Sequence, residues 1–156
     1  MSLLDKEPVK RAEKFLKDFD KSLEVIILEN SARTAQDAAK ALDCNVGAIV
    51  KSLLFKTGDD FILCLVAGDK RCSLNKLKKI KDEKDISMAI PEDVKTQTGY
   101  TIGGVSPIGH LKKIEIIIDN SLERLMNYLL QQDIQTAFLR LILKIFKKLQ
   151  MGKLKI

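Results

Sequence analysis

Apolar and polar residues alternate in short blocks along this chain, and the spacing within each block predicts an element. Residues 7–22 place apolar side chains at helical spacing among charged ones, which predicts an amphipathic helix. Residues 23–28 form a run rich in Val and Ile that predicts a strand. A helix is predicted over residues 35–42, capped by Ser31 or Thr34, because an acid follows Thr34 by three positions as in a capping box.

The middle of the chain predicts a hairpin followed by two short helices. Two apolar runs, residues 52–56 and 60–67, flank Thr57-Gly58-Asp59, a combination typical of a β-hairpin. Residues 73–80 carry apolar positions on one helical face among lysines. Pro91 opens a further helix that is expected to end near Gly99.

Residues 114–118 predict another strand, and a helix over residues 121–128 is expected to follow, capped by Asn120 or Ser121. Strands and short helices mix without a repeated strand–helix–strand order. The sequence therefore predicts a mixed α/β protein of the α+β class with a curled mixed sheet. The length of 156 residues suits one domain with a core and a pocket.

Two local features carry candidate chemistry. Lys51 lies between two apolar stretches, where an ammonium group either snorkels to a sheet edge or points into a cleft to hold an anion or a developing oxyanion. Residues 99–109 contain four glycines and Pro107. The exposed amides of such a loop can bind a carbonyl oxygen or a phosphate, and the alternative is a tight turn without a ligand.

Positive charge is concentrated at the C-terminal end of the chain. The formal net charge is +6, and residues 129–156 contribute +5 of it, because six lysines and arginines there accompany one acid, Asp133. The body that precedes them is nearly balanced. A balanced body predicts only modest intrinsic affinity for nucleic acid.

Cysteine usage and hydropathy bear on compartment and cofactors. The three cysteines, Cys44, Cys64 and Cys72, cannot all pair within one chain, and none forms a CxxC pair. Together with a single histidine, they predict structural thiols in a reducing cytoplasm, with no metal or other cofactor. No apolar run approaches bilayer length and no secretory signal opens the chain, so no membrane span is expected.

Several motifs occur in the order found in one protein family. They are Ser31-Ala32-Arg33-Thr34 with Ala38-Ala39, Ile49-Val50-Lys51-Ser52-Leu53, Ala67-Gly68-Asp69, Thr98-Gly99-Tyr100 through Gly109-His110, and Ile117-Ile118-Asp119. With these motifs the chain resembles the YbaK/ProX family over residues 23–128. The resemblance implies a curled mixed sheet or barrel flanked by helices. It also implies an aminoacyl-tRNA deacylase related to the editing domain of bacterial prolyl-tRNA synthetase.

The resemblance further implies roles for particular residues. The lysine would position the terminal adenosine and the ester, while amides of the glycine loop polarise the carbonyl, so the expected catalytic residues are Lys51, Gly103, Gly104 and Gly109. Substrate-binding residues are expected to be Thr34, Ser52, Ser106, Pro107, His110 and Asp119. An aminoacyl ester is already activated, so orientation and oxyanion stabilisation can suffice without a Ser-His-Asp triad or a cysteine nucleophile. A hydrogen-bonded structural role stays an equal alternative for His110.

The substrate implied by the resemblance is an aminoacyl-tRNA, chiefly tRNA for proline. Ser52 stands where cysteine-clearing members tend to carry Thr, which favours alanine or another small amino acid over cysteine. Prolyl-tRNA synthetase is a candidate partner. Two other classes stay open: a non-catalytic tRNA- or synthetase-binding module of the same fold, and a membrane-surface protein that relies on the basic tail.

The tail, residues 129–156, departs from the family pattern of an alanine-rich segment, a strand and a final helix. By pattern alone it would be a basic amphipathic helix. One choice of codons for residues 129–136, read two bases later, encodes Ala-Ala-Ala-Gly-His-Pro-Asn, which resembles the family. We therefore interpret the chain from about Tyr128 onward as read in a shifted frame, with impaired activity and stability as the expected consequences.

Overall fold

The computed structural model describes residues 3–25 and 32–124. A 3₁₀ turn, Leu3–Asp5, precedes helix α1, Glu7–Phe19, which has a proline in its first turn and ends three residues before the predicted limit. Residues 23–25 form no strand, and the rest of the strand predicted over residues 23–28 lies outside the described residues. The tail interpreted as frame-shifted also lies outside them.

Helix α2, Ala35–Ala41, begins with the capping box that the sequence predicted. The Thr34 hydroxyl accepts a hydrogen bond from the Asp37 amide at 3.1 Å, and the Asp37 carboxylate accepts one from the Thr34 amide at 3.3 Å. These two bonds satisfy amides that no helical carbonyl can reach. A 3₁₀ turn, Val46–Ala48, then leads into the sheet.

The sheet has four strands: β1, Val50–Thr57; β2, Asp60–Ala67; β3, Ile86–Met88; and β4, Glu115–Ile118. Their order is β3-β1-β2-β4, with β1 antiparallel to β2 and β3, and β2 parallel to β4. The predicted hairpin is confirmed, with Thr57 paired to Asp60 around a two-residue turn. The α+β class with a mixed sheet is confirmed as well. Within the described residues the sheet is open and not closed into a barrel, because β3 and β4 form its two edges.

Helices α3, Leu74–Lys81, and α4, Pro91–Thr98, confirm the two short helices of the prediction. Ser73 caps α3 through its hydroxyl, and α4 ends at Gly99 in the left-handed conformation. None of the helices within residues 3–25 and 32–124 combines the length and the apolar character that a bilayer span requires.

The two faces of the sheet carry separate apolar clusters. Leu54 and Val50 of β1 belong to the cluster that includes Val94 of α4. Phe55 and Leu53 belong to the other cluster, which includes Leu77 of α3. Because successive side chains of a strand point to opposite faces, Lys51 lies on the α3 face and Ser52 on the α4 face.

The helical turn of residues 121–124 is capped differently from the prediction. The Asp119 carboxylate accepts a hydrogen bond from the Ser121 amide at 2.8 Å. Asp119 is therefore the capping residue, in place of the predicted Asn120 or Ser121. The Ser121 hydroxyl instead accepts the Ala67 amide at 3.2 Å. This turn is therefore fastened to the end of β2.

Candidate functional site

A cleft of about 340 Å³ lies beside β1 and brings together four of the predicted site residues. Those four are Thr34, Lys51, Ser52 and Gly103. The cleft is walled by the start of α2, the first half of β1, the end of β3, α4 and the glycine loop. The other predicted residues, Gly104, Ser106, Pro107, Gly109, His110 and Asp119, are not part of its lining.

The cleft exists because β3 pairs with only one end of β1. The β3 pairing covers residues 55–57, and the Ala89 amide extends it by donating to the Leu54 carbonyl at 3.0 Å. Residues 50–53 have no β3 partner, so their edge of the sheet faces the cleft. A strand edge of this kind offers backbone donors and acceptors to a ligand.

Lys51 is half-buried, and its ammonium group donates a hydrogen bond to the Lys70 carbonyl at 2.5 Å. Lys70 follows β2 in a turn, so this bond joins β1 to the segment that connects β2 with α3. An ammonium group has three donors. One is used by Lys70, and the other two have no partner among the described residues.

Ser52 supplies the second polar group of the cleft. Its Oγ is buried, and it is the one buried side-chain oxygen or nitrogen that has no hydrogen-bond partner among the described residues. Leaving such a group unpaired costs on the order of 1–3 kcal/mol. A substrate that bonds to this hydroxyl would remove that cost, so the arrangement favours binding of a polar group there.

Gly103 brings the glycine loop to the cleft. It adopts φ of 81°, which residues other than glycine rarely adopt, inside a turn closed by the Gly104 amide on the Thr101 carbonyl at 2.9 Å. The Gly104 amide is thus engaged within the loop. The Gly103 amide donates to no described residue, which leaves it available to a substrate oxygen.

The remaining predicted residues hold the loop and the sheet together. The Ser106 hydroxyl accepts the Ile108 amide at 3.2 Å, next to Pro107. Asp119 follows β4, where its amide donates to the Leu65 carbonyl at 2.8 Å and its carboxylate caps the next helical turn. No group of three or more potential metal ligands occurs among the residues that the structure describes.

Arg11 of α1 fastens the far end of the glycine loop, a role that sequence reasoning missed. Its Nε donates to the Gly109 carbonyl at 2.7 Å, and its guanidinium lies 4.8 Å from the centre of the Tyr100 ring. The Tyr100 hydroxyl in turn donates to the Ile108 carbonyl at 2.9 Å. Arg11 and Gly109 are 98 residues apart, so no local pattern could reveal this contact.

Removal of the Arg11 guanidinium should loosen the loop. We expect Arg11→Met to lower the free energy of unfolding by about 1.5–3 kcal/mol, the usual contribution of hydrogen bonds that involve a charged group. Hydrogen exchange of residues 103–109 should accelerate in the same variant. Lys14→Met, an exposed change on the same helix, is the matched control. Equal stabilities and equal exchange rates in the two variants would show that the Arg11 contacts do not restrain the loop.

His110 has a structural environment. Its Nε2 lies 2.7 Å from the Ser106 carbonyl oxygen, so this nitrogen carries the proton, and its ring meets the Tyr100 ring edge to face. Burial lowers the pKa of His110, and the charge of Arg11 lowers it further, although the bond to the Ser106 carbonyl acts in the opposite direction. This geometry favours the structural alternative over a role in the cleft.

The lowered pKa of His110 makes stability depend on pH. In the unfolded chain the imidazole titrates near its ordinary pKa of about 6.5. Acidification through that value protonates the unfolded chain first, so stability is fully present above about pH 6.5 and is lost as the pH falls toward the folded-state pKa.

Replacement of the one histidine isolates this effect. We expect wild type to lose more unfolding free energy than His110→Gln between about pH 7.5 and about pH 5.5, measured by urea denaturation. The glutamine amide can still donate to Ser106, so the difference reports the imidazole titration. Identical losses in the two proteins would mean that His110 keeps an ordinary pKa in the folded chain.

The model of the aminoacyl-tRNA editing domain matches residues 29–149. This chain belongs to the aminoacyl-tRNA editing domain family. The match contains every predicted site residue and extends past residue 128, where the resemblance was predicted to end. The family assignment made from the sequence motifs is thus confirmed.

Proteins similar to this editing domain include proline–tRNA ligases. The proline–tRNA ligase of Brachyspira hyodysenteriae is 35% identical over 121 residues, which is 77% of this chain and 21% of the ligase. That of Thermosipho africanus is 33% identical over 109 residues, 70% of this chain and 19% of the ligase. The chain spans about a fifth of the length of these curated relatives.

A solved structure described as a candidate trans-editing enzyme for prolyl tRNA synthetase is also similar. It matches with a TM-score of 0.71 and 35% sequence identity, over 79% of this chain and 76% of its own length. The fold seen here is therefore the fold of this editing family, and the cleft beside β1 lies within the matched region.

Proposed function

We propose that this editing domain hydrolyses the ester bond of mischarged aminoacyl-tRNA in the cleft beside β1. One observation carries the proposal: an editing-domain chain places Thr34, Lys51, Ser52 and Gly103 around a single cavity of about 340 Å³. These residues offer an ammonium group, hydroxyls and a backbone amide to one bound ligand. Such donors suit an ester and the ribose that carries it.

The proposed reaction needs positioning and charge stabilisation more than a protein nucleophile. Water attacks the ester carbonyl carbon and loses a proton, a tetrahedral oxyanion forms, and the bond to the ribose oxygen breaks while that oxygen takes up the proton that the water lost. The free donors of Lys51 and the Gly103 amide stabilise the oxyanion. The Ser52 hydroxyl bonds to the bound aminoacyl ester and fixes its orientation.

The proposed substrate is tRNA for proline that carries alanine or another small amino acid. The similarity to proline–tRNA ligases supports tRNA for proline as the tRNA part of the substrate. Prolyl-tRNA synthetase is a proposed partner, because it would release such a product in the cytoplasm. Alanine or another small amino acid is proposed over cysteine because Ser52 stands where the YbaK/ProX resemblance implies Thr in cysteine-clearing members.

The proposal is tested by measuring hydrolysis of three charged forms of tRNA for proline, carrying alanine, cysteine or proline. We expect alanine to be released fastest, cysteine more slowly, and proline no faster than in buffer. Equal release of all three would refute the proposed selectivity. Release from none, at a protein concentration that binds the tRNA, would refute the deacylase itself.

That last outcome defines the second candidate, a tRNA- or synthetase-binding module of the same fold. The contact of the Lys51 ammonium with the Lys70 carbonyl favours it, since this lysine then braces two segments instead of projecting freely into the cleft. If the chain is such a binding module, Lys51→Ala should weaken its affinity for tRNA, and neither wild type nor variant should hydrolyse the ester.

The extent of the domain and the origin of its tail are further proposals. We propose that residues 1–156 form one editing domain whose residues from about Tyr128 are read in a shifted frame. Sequencing the gene tests this directly. A gene that cannot encode an Ala-Ala-Ala-Gly run in an alternative frame there would refute it.

A further inference from the structure

Two of the three cysteines meet in the apolar cluster on the Lys51 face of the sheet. Cys64 lies on β2, is fully buried and pairs across the sheet with Leu53. Cys72 is half-buried in the segment between β2 and α3. Their sulfur atoms are 3.1 Å apart.

This separation is short for two thiols and close to what a disulfide requires. A disulfide bond is about 2.05 Å long, so the sulfurs need to approach by only about 1 Å. Cys72 precedes the cap residue Ser73, in a segment without regular structure, and a small adjustment there can provide the movement. Cys44, in contrast, precedes β1 in the chain, is exposed and is not part of the pair.

The surroundings distinguish the two thiols. A hydrogen bond with Cys64 lowers the pKa of Cys72, and the nearby Lys51 ammonium lowers it further. Burial and the charge of Asp119 raise this pKa, but the net direction is downward. The same hydrogen bond and complete burial raise the pKa of Cys64. Cys72 is therefore the thiol that ionises first, and it is also the one that solvent reaches.

We infer that Cys64 and Cys72 are a dithiol pair that a small peroxide oxidises to a disulfide. The Cys72 thiolate attacks one peroxide oxygen, the O–O bond breaks, and a sulfenic acid and hydroxide form. The Cys64 sulfur then attacks the Cys72 sulfur, the S–O bond breaks, and hydroxide leaves. Two thiols and one hydrogen peroxide thus give one disulfide and two waters, with the peroxide reduced and both sulfurs oxidised.

The disulfide acts on the site through Lys70. The carbonyl that holds the Lys51 ammonium lies two residues before Cys72, so drawing Cys72 toward β2 displaces the Lys51 partner. Oxidation therefore alters the deacylation rate, a consequence that rests on the proposed function. Thiol reductants should reverse it.

The pair is tested by peptide mapping of the full chain before and after treatment with hydrogen peroxide, with unfolding before thiol alkylation. The Cys44→Ser protein keeps two thiols, Cys64 and Cys72. After peroxide treatment we expect neither to be alkylated, and we expect one pair of peptides joined by an intramolecular Cys64–Cys72 disulfide. In Cys44→Ser, Cys72→Ser, with folding verified by thermal unfolding, Cys64 should stay alkylatable. Two free thiols after treatment of Cys44→Ser, or a sulfinic acid on Cys72 with Cys64 intact, would overturn the inference.

The link to the site has a separate readout on the same Cys44→Ser protein. Deacylation of alanyl-tRNA is measured in the reduced form, after peroxide, and after dithiothreitol. A rate that changes on oxidation and returns on reduction supports the link, and an unchanged rate in a fully disulfide-bonded sample overturns it. Absence of deacylation in the reduced sample would count against the proposed function alone, because mass analysis scores the disulfide without any activity.

Discussion

Replacement of Lys51 by alanine should lower the rate of alanyl-tRNA hydrolysis by about two to three orders of magnitude. This is the usual effect of removing one donor that stabilises an oxyanion. Lys51 is one of the β1 residues that line the cleft, and its ammonium group has two donors left after its bond to the Lys70 carbonyl. Single-turnover hydrolysis at saturating protein measures the chemical step without the contribution of tRNA binding.

The matched control is Lys56→Ala. Lys56 lies on the same strand, is exposed and is absent from the cleft lining, so its removal subtracts one positive charge without touching the site. We expect this control to hydrolyse alanyl-tRNA at nearly the wild-type single-turnover rate. Equal losses in the two variants would mean that Lys51 contributes only general charge to tRNA attraction.

Replacement of Gly68 by alanine should lower the free energy of unfolding by about 1–3 kcal/mol, the cost of forcing additional atoms into a packed site. A Cβ at this position would lie 2.4 Å from the Val46 carbonyl oxygen, which belongs to the backbone and cannot swing away. The Gly68 amide also donates to the Ile49 carbonyl at 2.7 Å, so a shift would disturb the approach to β1. Urea denaturation measures the loss.

Gly104→Ala is the matched control for this stability measurement. A Cβ at Gly104 would lie no closer than 3.7 Å to any neighbour, and Gly104 does not have a positive φ. We expect this variant to stay within about 0.5 kcal/mol of wild type. If Gly68→Ala unfolds at the same urea concentration as Gly104→Ala, the close approach of Val46 to Gly68 is relieved at little cost.

The parts of the fold that the sequence predicted are those that local chemistry determines. Thr34 and Asp37 satisfy each other three residues apart, and Pro91 and Gly99 delimit a helix by their own backbone preferences. The hairpin around Gly58 needs only a turn and two apolar runs. Strand β3 was missed, because three residues are too few to show alternation and its pairing with β1 is a long-range contact.

Four of the residues that line the candidate cleft were predicted from the sequence, but their arrangement was not. The motif around Lys51 marked the strand that carries the cleft, yet alternation along β1 places the side chains of Lys51 and Ser52 on opposite faces. The glycine-loop motif likewise drew attention to Gly109 and His110, whereas Gly103 is the one predicted loop residue that lines the cleft, and the far end of the loop is bonded to Arg11. These differences arise from contacts between distant parts of the chain, which no motif records.

The most direct test of the central claim is a crystal structure with a stable analogue of the substrate, an adenosine whose 3′ alanyl ester is replaced by an amide. We expect the analogue to occupy the cleft beside β1, with its amide carbonyl oxygen within about 3 Å of the Lys51 ammonium and the Gly103 amide. The Ser52 hydroxyl should then have a hydrogen-bond partner. An analogue bound elsewhere on the molecule, with Lys51 still on the Lys70 carbonyl and the cleft empty, would contradict the assignment of this cleft as the deacylation site.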